Sequence, residues 1–438
     1  MKVGFISLGC NKNLVDTEKT IAIFQKYGYE VVNDPKKAEI IVINTCGFIQ
    51  SAKEEAINTI LEMAEYKKKN CKYLIVMGCL AQRYKEELEK AIPEVDLYIK
   101  YQEYNTLWEQ IESVINEQHI ENHTALYKND NFLELTDRVI TTGNNYAYLK
   151  IADGCSNYCT YCAIPKIRGP LVSRKMENIL EEAKQLVQKG YREIILTAQD
   201  TTKYGIDIYQ KPMLAELLKE LCKIKQIKWI RFLYAYPETI TDGLIQVVKE
   251  NSQIYPYFDI PIQHIANPVL KRMNRKSDGA SIRNLITKLR KELPNAILRT
   301  TVMVGFPGET EEDFEETLDV VRKAKYDSAY TFIYSKRTGT PAAAMENQVP
   351  EDVVKNRFNR LLETVNEVSR SISNRYEGTV QQVLVEDVDD HDASYVTGRM
   401  TNNILVHFPG SKDLIGTLVN VRLTECRGFY YMGEQENA

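Results

Sequence analysis

Three cysteines stand close together near the middle of the chain, in the stretch GCSNYCTYC, residues 154–162. Their spacing is CxxxCxxC, formed by Cys155, Cys159 and Cys162. The stretch follows an apolar run that predicts a β-strand, so the three thiols are expected on one loop. Three thiolates can bind three irons of a [4Fe–4S] cube and leave the fourth iron open to a ligand. A structural zinc site needs four ligands, and the sequence places no fourth one nearby.

The region around this stretch alternates predicted strands and helices. The predicted strands are Tyr146–Ile151, Glu193–Thr197, Trp229–Tyr234, Tyr257–Ile262, Ala296–Val304 and Ala329–Tyr334. The predicted helices between them are Arg174–Lys189, Met213–Ile224, Thr241–Glu250, Ala280–Glu292 and Glu311–Ala324, the last with a capping-box start at Thr310 and Asp313. Six β/α units are too few for an eight-fold barrel, so we expect an open, partial barrel.

The two flanking regions have different patterns. Residues 1–120 alternate short apolar strands with amphipathic helices, which predicts a parallel α/β domain. Residues 121–145 lose periodicity and are interpreted as a linker to a core at 146–375, whose last element is a long helix, Glu351–Arg375. Residues 376–438 carry several short alternating strands, which predicts a small antiparallel β-barrel.

Three further cysteines each follow a predicted N-terminal strand and adjoin a glycine: Cys10, Cys46 and Cys79. Because the carboxyl ends of parallel strands meet at one edge of a sheet, these cysteines can converge there. The alternative is that they are buried as small apolar residues. Cys71, Cys222 and Cys426 lack this setting and are interpreted as structural.

Composition excludes several classes of protein. The 438 residues are 44% hydrophobic and 26% charged, with a net charge of −4, which is typical of an ordinary globular chain of two or three domains. No run approaches the roughly 20 apolar residues of a membrane span, and no secretory signal is evident. We therefore expect a cytoplasmic protein without a membrane partner, in which nine cysteines, an odd number, favour metal or redox chemistry over disulfides.

The cysteine spacing and the β/α series resemble the radical S-adenosylmethionine enzymes. The resemblance continues through Ile164-Pro165, Arg168-Gly169 and Ser173-Arg174. It implies that the open iron binds S-adenosylmethionine, with Tyr161 beside the adenine. Ligands of such folds bind at strand carboxyl ends, where further contacts are predicted at Gln199, Asp200, Gln263, Arg299 and Gly305. Gln263 and Arg299 could equally belong to packing networks, and His264 is expected to be structural.

Together with the N-terminal cysteines and the terminal barrel, the whole chain resembles the methylthiotransferases. That resemblance implies a second [4Fe–4S] cluster at Cys10, Cys46 and Cys79, a TRAM domain at the C-terminus and an external electron donor. One branch of the family modifies an adenosine of transfer RNA. The other, RimO, adds a methylthio group to the β-carbon of an aspartate in ribosomal protein S-twelve. In both, a radical derived from S-adenosylmethionine opens the C–H bond, so no side chain beyond the cluster ligands needs a catalytic role.

Charge favours the ribosomal-protein branch. Residues 376–438 carry ten acidic and four basic side chains, a net charge of −6, whereas a barrel that binds RNA should be basic. An acidic barrel suits a basic protein partner and makes transfer RNA an unlikely one, although the acids could also be only a solvated face. The loops Gln199-Asp200 and Gln263-His264 look like the RimO forms. The transfer-RNA enzyme and a non-catalytic iron–sulfur electron carrier stay open as alternatives.

Overall fold

The computed structural model describes residues 1–115, 131–143, 145–428 and 430–436. The N-terminal region is a parallel sheet of β1 (Lys2–Ser7), β2 (Glu30–Val31), β3 (Ile40–Thr45), β4 (Tyr73–Gly78) and β5 (Leu97–Lys100), with α1 (Asn11–Lys26), α2 (Gln50–Ala64), α3 (Cys79–Ala91) and α4 (Leu107–Ile115). The strand order is β2-β1-β3-β4-β5. Every residue of β3 is buried, as expected for a central parallel strand covered by helices on both faces.

The central region contains a six-stranded parallel sheet that curves without closing. Its strands, in spatial and chain order, are β6 (Tyr146–Lys150), β9 (Glu193–Thr197), β10 (Trp229–Phe232), β11 (Ile254–Gln263), β12 (Ile297–Val304) and β13 (Ser328–Ile333). A short antiparallel ribbon of β7 (Ala152–Asp153) and β8 (Val172–Ser173) closes the base of the loop that carries the CxxxCxxC motif. The predicted open, partial barrel is confirmed.

Nine helices connect or follow these strands in the described part of the chain. They are α5 (Ile164–Arg168), α6 (Met176–Gln188), α7 (Ile206–Tyr209), α8 (Leu214–Cys222), α9 (Asp242–Glu250), α10 (Asn267–Arg272), α11 (Gly279–Glu292), α12 (Glu311–Ala324) and α13 (Glu351–Ser373). The predicted capping box begins α12, where the Thr310 hydroxyl accepts from the Asp313 amide. Within the described residues, no helix is long and apolar enough to cross a membrane.

The C-terminal residues form a closed barrel of β14 (Val380–Val388), β15 (Tyr395–Met400), β16 (Leu405–Pro409), β17 (Leu418–Cys426) and β18 (Tyr430–Gln435), in the order β14-β15-β16-β18-β17. The predicted small barrel is confirmed. Its pairing is antiparallel except between β16 and β18, which run parallel where the barrel closes.

The small barrel docks against the amino ends of the central strands. The Asn145 amide donates to the carbonyls of Val385 (2.8 Å) and Glu386 (3.1 Å), and Arg231 donates to the carbonyl of Thr401 (2.8 Å). A cavity of about 140 Å³ remains between the two barrels. The carboxyl ends of the central strands, where both sets of cysteines lie, are therefore at the opposite end of the partial barrel.

The described part of the predicted linker, residues 131–143, packs against both neighbouring domains. Phe132 is buried in the N-terminal core, and the carbonyls of Phe132 and Leu133 accept hydrogen bonds from the buried Lys19 ammonium. Arg138 pairs with Glu18 of α1 and with Glu182 of α6. This segment therefore fixes the two domains against each other. The rest of the predicted linker, 121–130 and 144, lies outside the described residues.

Candidate functional site

The CxxxCxxC loop is shaped by its backbone. Gly154 has a φ of +68°, and a Cβ atom there would lie 1.9 Å from the carbonyl oxygen of Pro170. Only glycine allows this approach, which turns the chain sharply into Cys155. The Cys155 amide donates to the Gly169 carbonyl (3.1 Å), and the Cys162 amide donates to the Cys159 carbonyl (3.0 Å). The three thiols are thus held on one tight loop.

These thiols are free and largely buried. Burial raises the pKa of Cys155 to about 11 and that of Cys162 to about 12. At neutral pH Cys155 and Cys162 are protonated unless iron displaces the protons, as it does whenever it binds thiolates. Within the described ranges no group of three His, Cys, Asp or Glu side chains is arranged to hold a single metal ion. The thiolates that bind a four-iron cube sit on different irons and so lie farther apart than the ligands of one ion. The absence of a single-ion site among the described residues therefore does not exclude a cluster.

Apolar side chains and unpaired cationic donors surround the loop. Tyr161 and Cys159 pack with Met273, Met303 and Phe306. The Arg275 guanidinium lies 4.4 Å from the Tyr236 ring centroid, and its Nε and Nη1 atoms have no hydrogen-bond partner. Buried donors without acceptors are costly, and a thiolate-ligated, negatively charged group would satisfy them. The donor set therefore fits an iron–sulfur cluster.

The predicted S-adenosylmethionine contacts lie in different surroundings. Gln199 and Gln263 are half-buried at the carboxyl ends of β9 and β11, and Gln263 has a φ of +67°. The carboxylate of Asp200 accepts hydrogen bonds from Thr202 (2.6 Å) and from Asn157 within the cysteine loop (2.9 Å). Asp200 thereby orients that loop, and its contact with S-adenosylmethionine stays a prediction.

Arg299 and Gly305 lie at opposite ends of β12. Arg299 makes a bidentate pair with Asp259 (2.7 and 3.1 Å) and faces the cavity next to the C-terminal barrel, away from the cysteine loop. Gly305 packs against Val354 of α13, where a Cβ atom would lie 2.6 Å from a methyl group. Both therefore have structural partners. His264 is fully buried, and its Nδ1 atom accepts from the Ala266 amide (3.1 Å).

The N-terminal cysteines follow β1, β3 and β4, and they converge. A Cβ atom on Gly9 would lie 2.6 Å from the Cβ of Cys46, so the segments before Cys10 and around Cys46 touch. Asn13 joins all three segments: its amide donates to the carbonyls of Leu8 and Thr45 (3.0 Å each), and its Oδ1 lies 3.7 Å from the Cys79 sulfur. Sequence reasoning did not single out Asn13.

Electrostatics distinguishes these three thiols. Burial opposes ionisation of Cys10, but the neighbouring Lys12 and Arg168 outweigh it and lower the pKa of its thiol. Burial raises the pKa of Cys46 and raises that of Cys79 to about 11. Cys10 is therefore the readiest of the three to bind a metal as thiolate.

The two cysteine sets adjoin each other. Cys79 packs against Ala163, the residue directly after Cys162, and against Ile167 of α5. Arg337 donates to the Tyr161 carbonyl (2.7 Å), and its guanidinium lies 4.1 Å from the ring centroid of Phe48. The segments that carry the two cysteine sets thus adjoin each other at the carboxyl ends of the central strands.

A buried charge network joins the domains beneath this region. Lys150 of β6 pairs with Asp16 of α1 and with Asp153 (2.8 Å), and Arg168 pairs with the same two carboxylates (3.2 and 2.6 Å). Tyr101 donates a further hydrogen bond to Asp153 (2.6 Å). Burial opposes the ionised form of Asp153, but Arg168 and Lys150 outweigh it and hold its pKa well below the usual range.

Three family models and several curated relatives match this chain. Family models match at residues 2–100 (Uncharacterized protein family UPF0004), 149–321 (Radical SAM superfamily) and 374–434 (TRAM domain). Ribosomal protein uS12 methylthiotransferase RimO of Alkaliphilus oremlandii is 52% identical, with 99% of each chain covered. The RimO of Caldicellulosiruptor saccharolyticus is 45% identical, again with 99% of each chain covered. The chain belongs to the RimO methylthiotransferase family.

Solved structures show the same fold at low sequence identity. The radical S-adenosylmethionine methyltransferase TsrM of Kitasatospora setae has a TM-score of 0.57 and 11% identity, with 78% of this chain and 77% of that chain covered. The cobalamin-dependent radical enzyme OxsB has a TM-score of 0.52 and 13% identity, with 84% and 56% covered. These similarities concern the fold alone.

Membership in the RimO family confirms the prediction of a radical S-adenosylmethionine methylthiotransferase. The protein is an enzyme that uses S-adenosylmethionine and an iron–sulfur cluster. The relatives support neither the electron-carrier alternative nor the transfer-RNA alternative. The ligand sets, the individual S-adenosylmethionine contacts and the domain boundaries stay predictions.

Proposed function

We propose that this enzyme adds a methylthio group to the β-carbon of an aspartate in ribosomal protein uS12, using two [4Fe–4S] clusters, S-adenosylmethionine and an external electron donor. The observation that carries the proposal is the meeting of two three-cysteine sets at Ala163, which packs against Cys79. One set suits cleavage of S-adenosylmethionine and the other suits delivery of sulfur. Relatives that match the whole chain are named as uS12 methylthiotransferases.

In this proposal, Cys155, Cys159 and Cys162 hold one cluster, and Cys10, Cys46 and Cys79 hold the other. When bound, the clusters and S-adenosylmethionine supply hydrogen abstraction from an unactivated C–H bond, sulfur and a methyl group. The chain itself positions these groups. Asp200 fixes the cysteine loop through Asn157, and the apolar wall around Tyr161 keeps water from the reacting region. Hydrogen abstraction needs no side chain to act as a base.

The function is tested by mass spectrometry of uS12 and of transfer RNA from cells that lack the protein. We expect the methylthio group to disappear from one aspartate of uS12 and to return when the gene is restored. Transfer RNA should keep all its modifications. Loss of a methylthioadenosine with uS12 unaltered would overturn the proposal in favour of the transfer-RNA branch.

Iron content tests the two ligand sets. Anaerobically reconstituted protein should hold about eight irons per chain, and replacing either set of three cysteines with Ala should leave about four. Iron and acid-labile sulfide are measured per chain. Replacing Cys71, Cys222 and Cys426, which lie outside both sets, serves as the control and should leave eight. An unchanged iron content after loss of Cys10, Cys46 and Cys79 would rule out the second cluster.

The acidic C-terminal barrel is the proposed docking surface for basic uS12. Three of its four basic side chains are already paired with acids: Arg399 with Glu386, Arg422 with Glu436 and Arg427 with Glu425. Asp387, Asp390 and Asp392 lie exposed around the β14–β15 turn. Asp389 is partly buried, contacts His407 and accepts from the His391 amide, so it shapes the turn instead. The exposed field of the barrel is therefore negative.

Neutralising this turn should slow association with uS12. We expect replacement of Asp387, Asp390 and Asp392 with Asn to lower the association rate several-fold at low salt and to change dissociation little, because rim charges act mainly on encounter. The difference should vanish as salt screens charges beyond about 8–10 Å. Stopped-flow binding across a salt series measures this.

The control variant carries the same change in charge at exposed sites away from the barrel, with Glu62, Glu94 and Glu363 replaced by Gln. It should associate with uS12 at nearly the rate of the unaltered enzyme. Equal slowing in both variants would show that total charge matters and that the barrel is not the docking surface.

A further inference from the structure

Lys12 is a buried cation at the centre of the site. It is the second residue of α1, is 4% exposed and follows Cys10 by two positions. Its Nζ atom lies 3.6 Å from the centroid of the Tyr234 ring. Tyr234 follows β10 and has a φ of +59°, a conformation that is unfavourable for a tyrosine and that needs support from its surroundings.

Other buried cations of this protein have oxygen partners. Lys150 and Arg168 share two carboxylates, and Arg174 pairs with Glu182. Lys19, also fully buried, donates to the carbonyls of Phe132 and Leu133 (3.2 and 2.7 Å). In the part of the chain that the structure describes, the Lys12 ammonium has neither a carboxylate nor a carbonyl partner; the Tyr234 side chain faces it, and the Cys10 thiol is close enough to interact with its charge. A buried ammonium without a carboxylate partner is costly, so Lys12 is suited to a carboxylate ligand.

The position of Lys12 on its helix is a second reason to expect an anionic ligand there. A helix N-terminus carries partial positive charge, so acidic residues are favoured there and a lysine is not. The first turn of α1 contains no acidic residue. The amides of Lys12 and Asn13 at this end face the Cys10 thiol, and together with the Lys12 ammonium they create a positive site.

This site faces the reacting region. Asn11, next to Lys12, accepts a hydrogen bond from Thr197 at the carboxyl end of β9 (3.0 Å). Tyr234 lies two residues before Tyr236, which packs against the same apolar cluster as Cys159. Lys12 thus lies between Cys10 of one cysteine set and the strand ends that lead to the other.

We propose that Lys12 binds the side-chain carboxylate of the substrate aspartate, an inference that rests on the proposed function and deepens it. The carboxylate carbon is bonded directly to the β-carbon that receives sulfur. An ion pair at the carboxylate therefore fixes the reacting carbon one bond away, between the two cysteine sets. The same ion pair distinguishes aspartate from asparagine, which has nearly the same shape but no charge.

A double-mutant cycle in binding tests this role. The enzyme and its Lys12→Met variant, both anaerobically reconstituted, are titrated with uS12 and with uS12 in which the modified aspartate is changed to Asn. The unaltered enzyme should bind the Asp form on the order of 10- to 100-fold more tightly, as expected for a hydrogen bond to a charged group. Lys12→Met should bind both forms with nearly equal affinity, and Lys12→Arg should keep part of the preference.

Lys69→Met is the matched control. Lys69 also lies over a tyrosine ring, 5.5 Å from the centroid of Tyr66, but it is exposed and stands beyond the far end of α2. This variant should keep the full preference for the Asp form. Melting temperature gives a second readout: Lys12→Met should not lower it, because the variant removes a buried charge that has no carboxylate partner. A structural lysine would show a clear loss.

Each result that would contradict this proposal can be told apart from the others. A preference for the Asp form that survives in Lys12→Met would overturn the role of Lys12 alone, and so would an enzyme that modifies uS12 without any such preference. Loss of about four irons in Lys12→Met would assign the residue to the cluster, and weaker S-adenosylmethionine binding in that variant would assign it to the cosubstrate. Absence of uS12 modification by the unaltered enzyme would overturn the proposed function together with this inference.

Discussion

Replacing Cys10, Cys46 and Cys79 together with Ala should abolish methylthiolation of uS12 while S-adenosylmethionine is still cleaved to deoxyadenosine. The reason is that the two cysteine sets lie on separate elements. The CxxxCxxC loop is shaped by Gly154, Gly169 and Asp200, all of them within the central region. Loss of the N-terminal thiols leaves these contacts intact. Deoxyadenosine is quantified by chromatography after anaerobic reduction, and uS12 is examined by mass spectrometry in the same reaction.

The converse variant completes this test. Replacing Cys155, Cys159 and Cys162 with Ala should abolish both deoxyadenosine formation and methylthiolation. A third variant, with Cys71, Cys222 and Cys426 replaced, should retain both. If loss of the N-terminal set also stopped deoxyadenosine formation, in protein with an unaltered circular dichroism spectrum, the proposed division between the sets would be wrong.

The parts of the fold that follow local rules could be predicted from sequence. Cys46 and Cys79 follow the apolar runs of β3 and β4, and parallel strands bring their carboxyl ends to one edge. Thr310 and Asp313 predicted the start of α12 because a capping box depends only on residues three apart. Helix α3, which begins at Cys79, was not predicted from its pattern, and Tyr84 inside it has non-helical angles.

Residues whose role depends on distant partners could not be found in this way. Arg168 meets Asp16 across 152 positions, and no periodicity records that contact. Arg299 lies on a predicted strand, but only the register with Ser328, the first residue of β13, shows that it stands near the amino end. For Lys12 the sequence contains one local indication, because a lysine in the first turn of a helix opposes the helix dipole.

The net charge of the C-terminal barrel does not show which of its acidic residues are exposed and unpaired. Its value of −6 counts Glu386 equally with the turn aspartates. In the structure Glu386 pairs with Arg399 and borders the cavity between the barrels, so it adds nothing to the outer field. The densest part of the proposed docking surface is therefore the exposed aspartates of the β14–β15 turn, and Glu377, Asp413 and Glu434 are exposed elsewhere on the barrel.

Lys150→Met should destabilise the protein by about 3–5 kcal/mol, the usual cost of removing one partner from a buried ion pair. Lys150 is fully buried, and its loss leaves Asp16 and Asp153 to share Arg168. Because the pKa of Asp153 is lowered in the folded state, its stabilising effect is present at neutral pH and is lost only as the pH falls below the usual range for aspartate. Urea denaturation at pH 7 therefore measures the effect in full.

Two variants distinguish this network from a general effect of losing a lysine. Lys68→Met breaks an exposed pair with Glu65 and should change the urea midpoint little. Lys150→Met combined with Asp16→Asn should recover part of the loss, because one of the stranded carboxylates is then neutral. Since the network joins α1 to β6, Lys150→Met should also loosen the contact between the domains and reduce methylthiolation more than deoxyadenosine formation. A stable Lys150→Met variant with both activities intact would show that the network is dispensable for holding the two cysteine sets together.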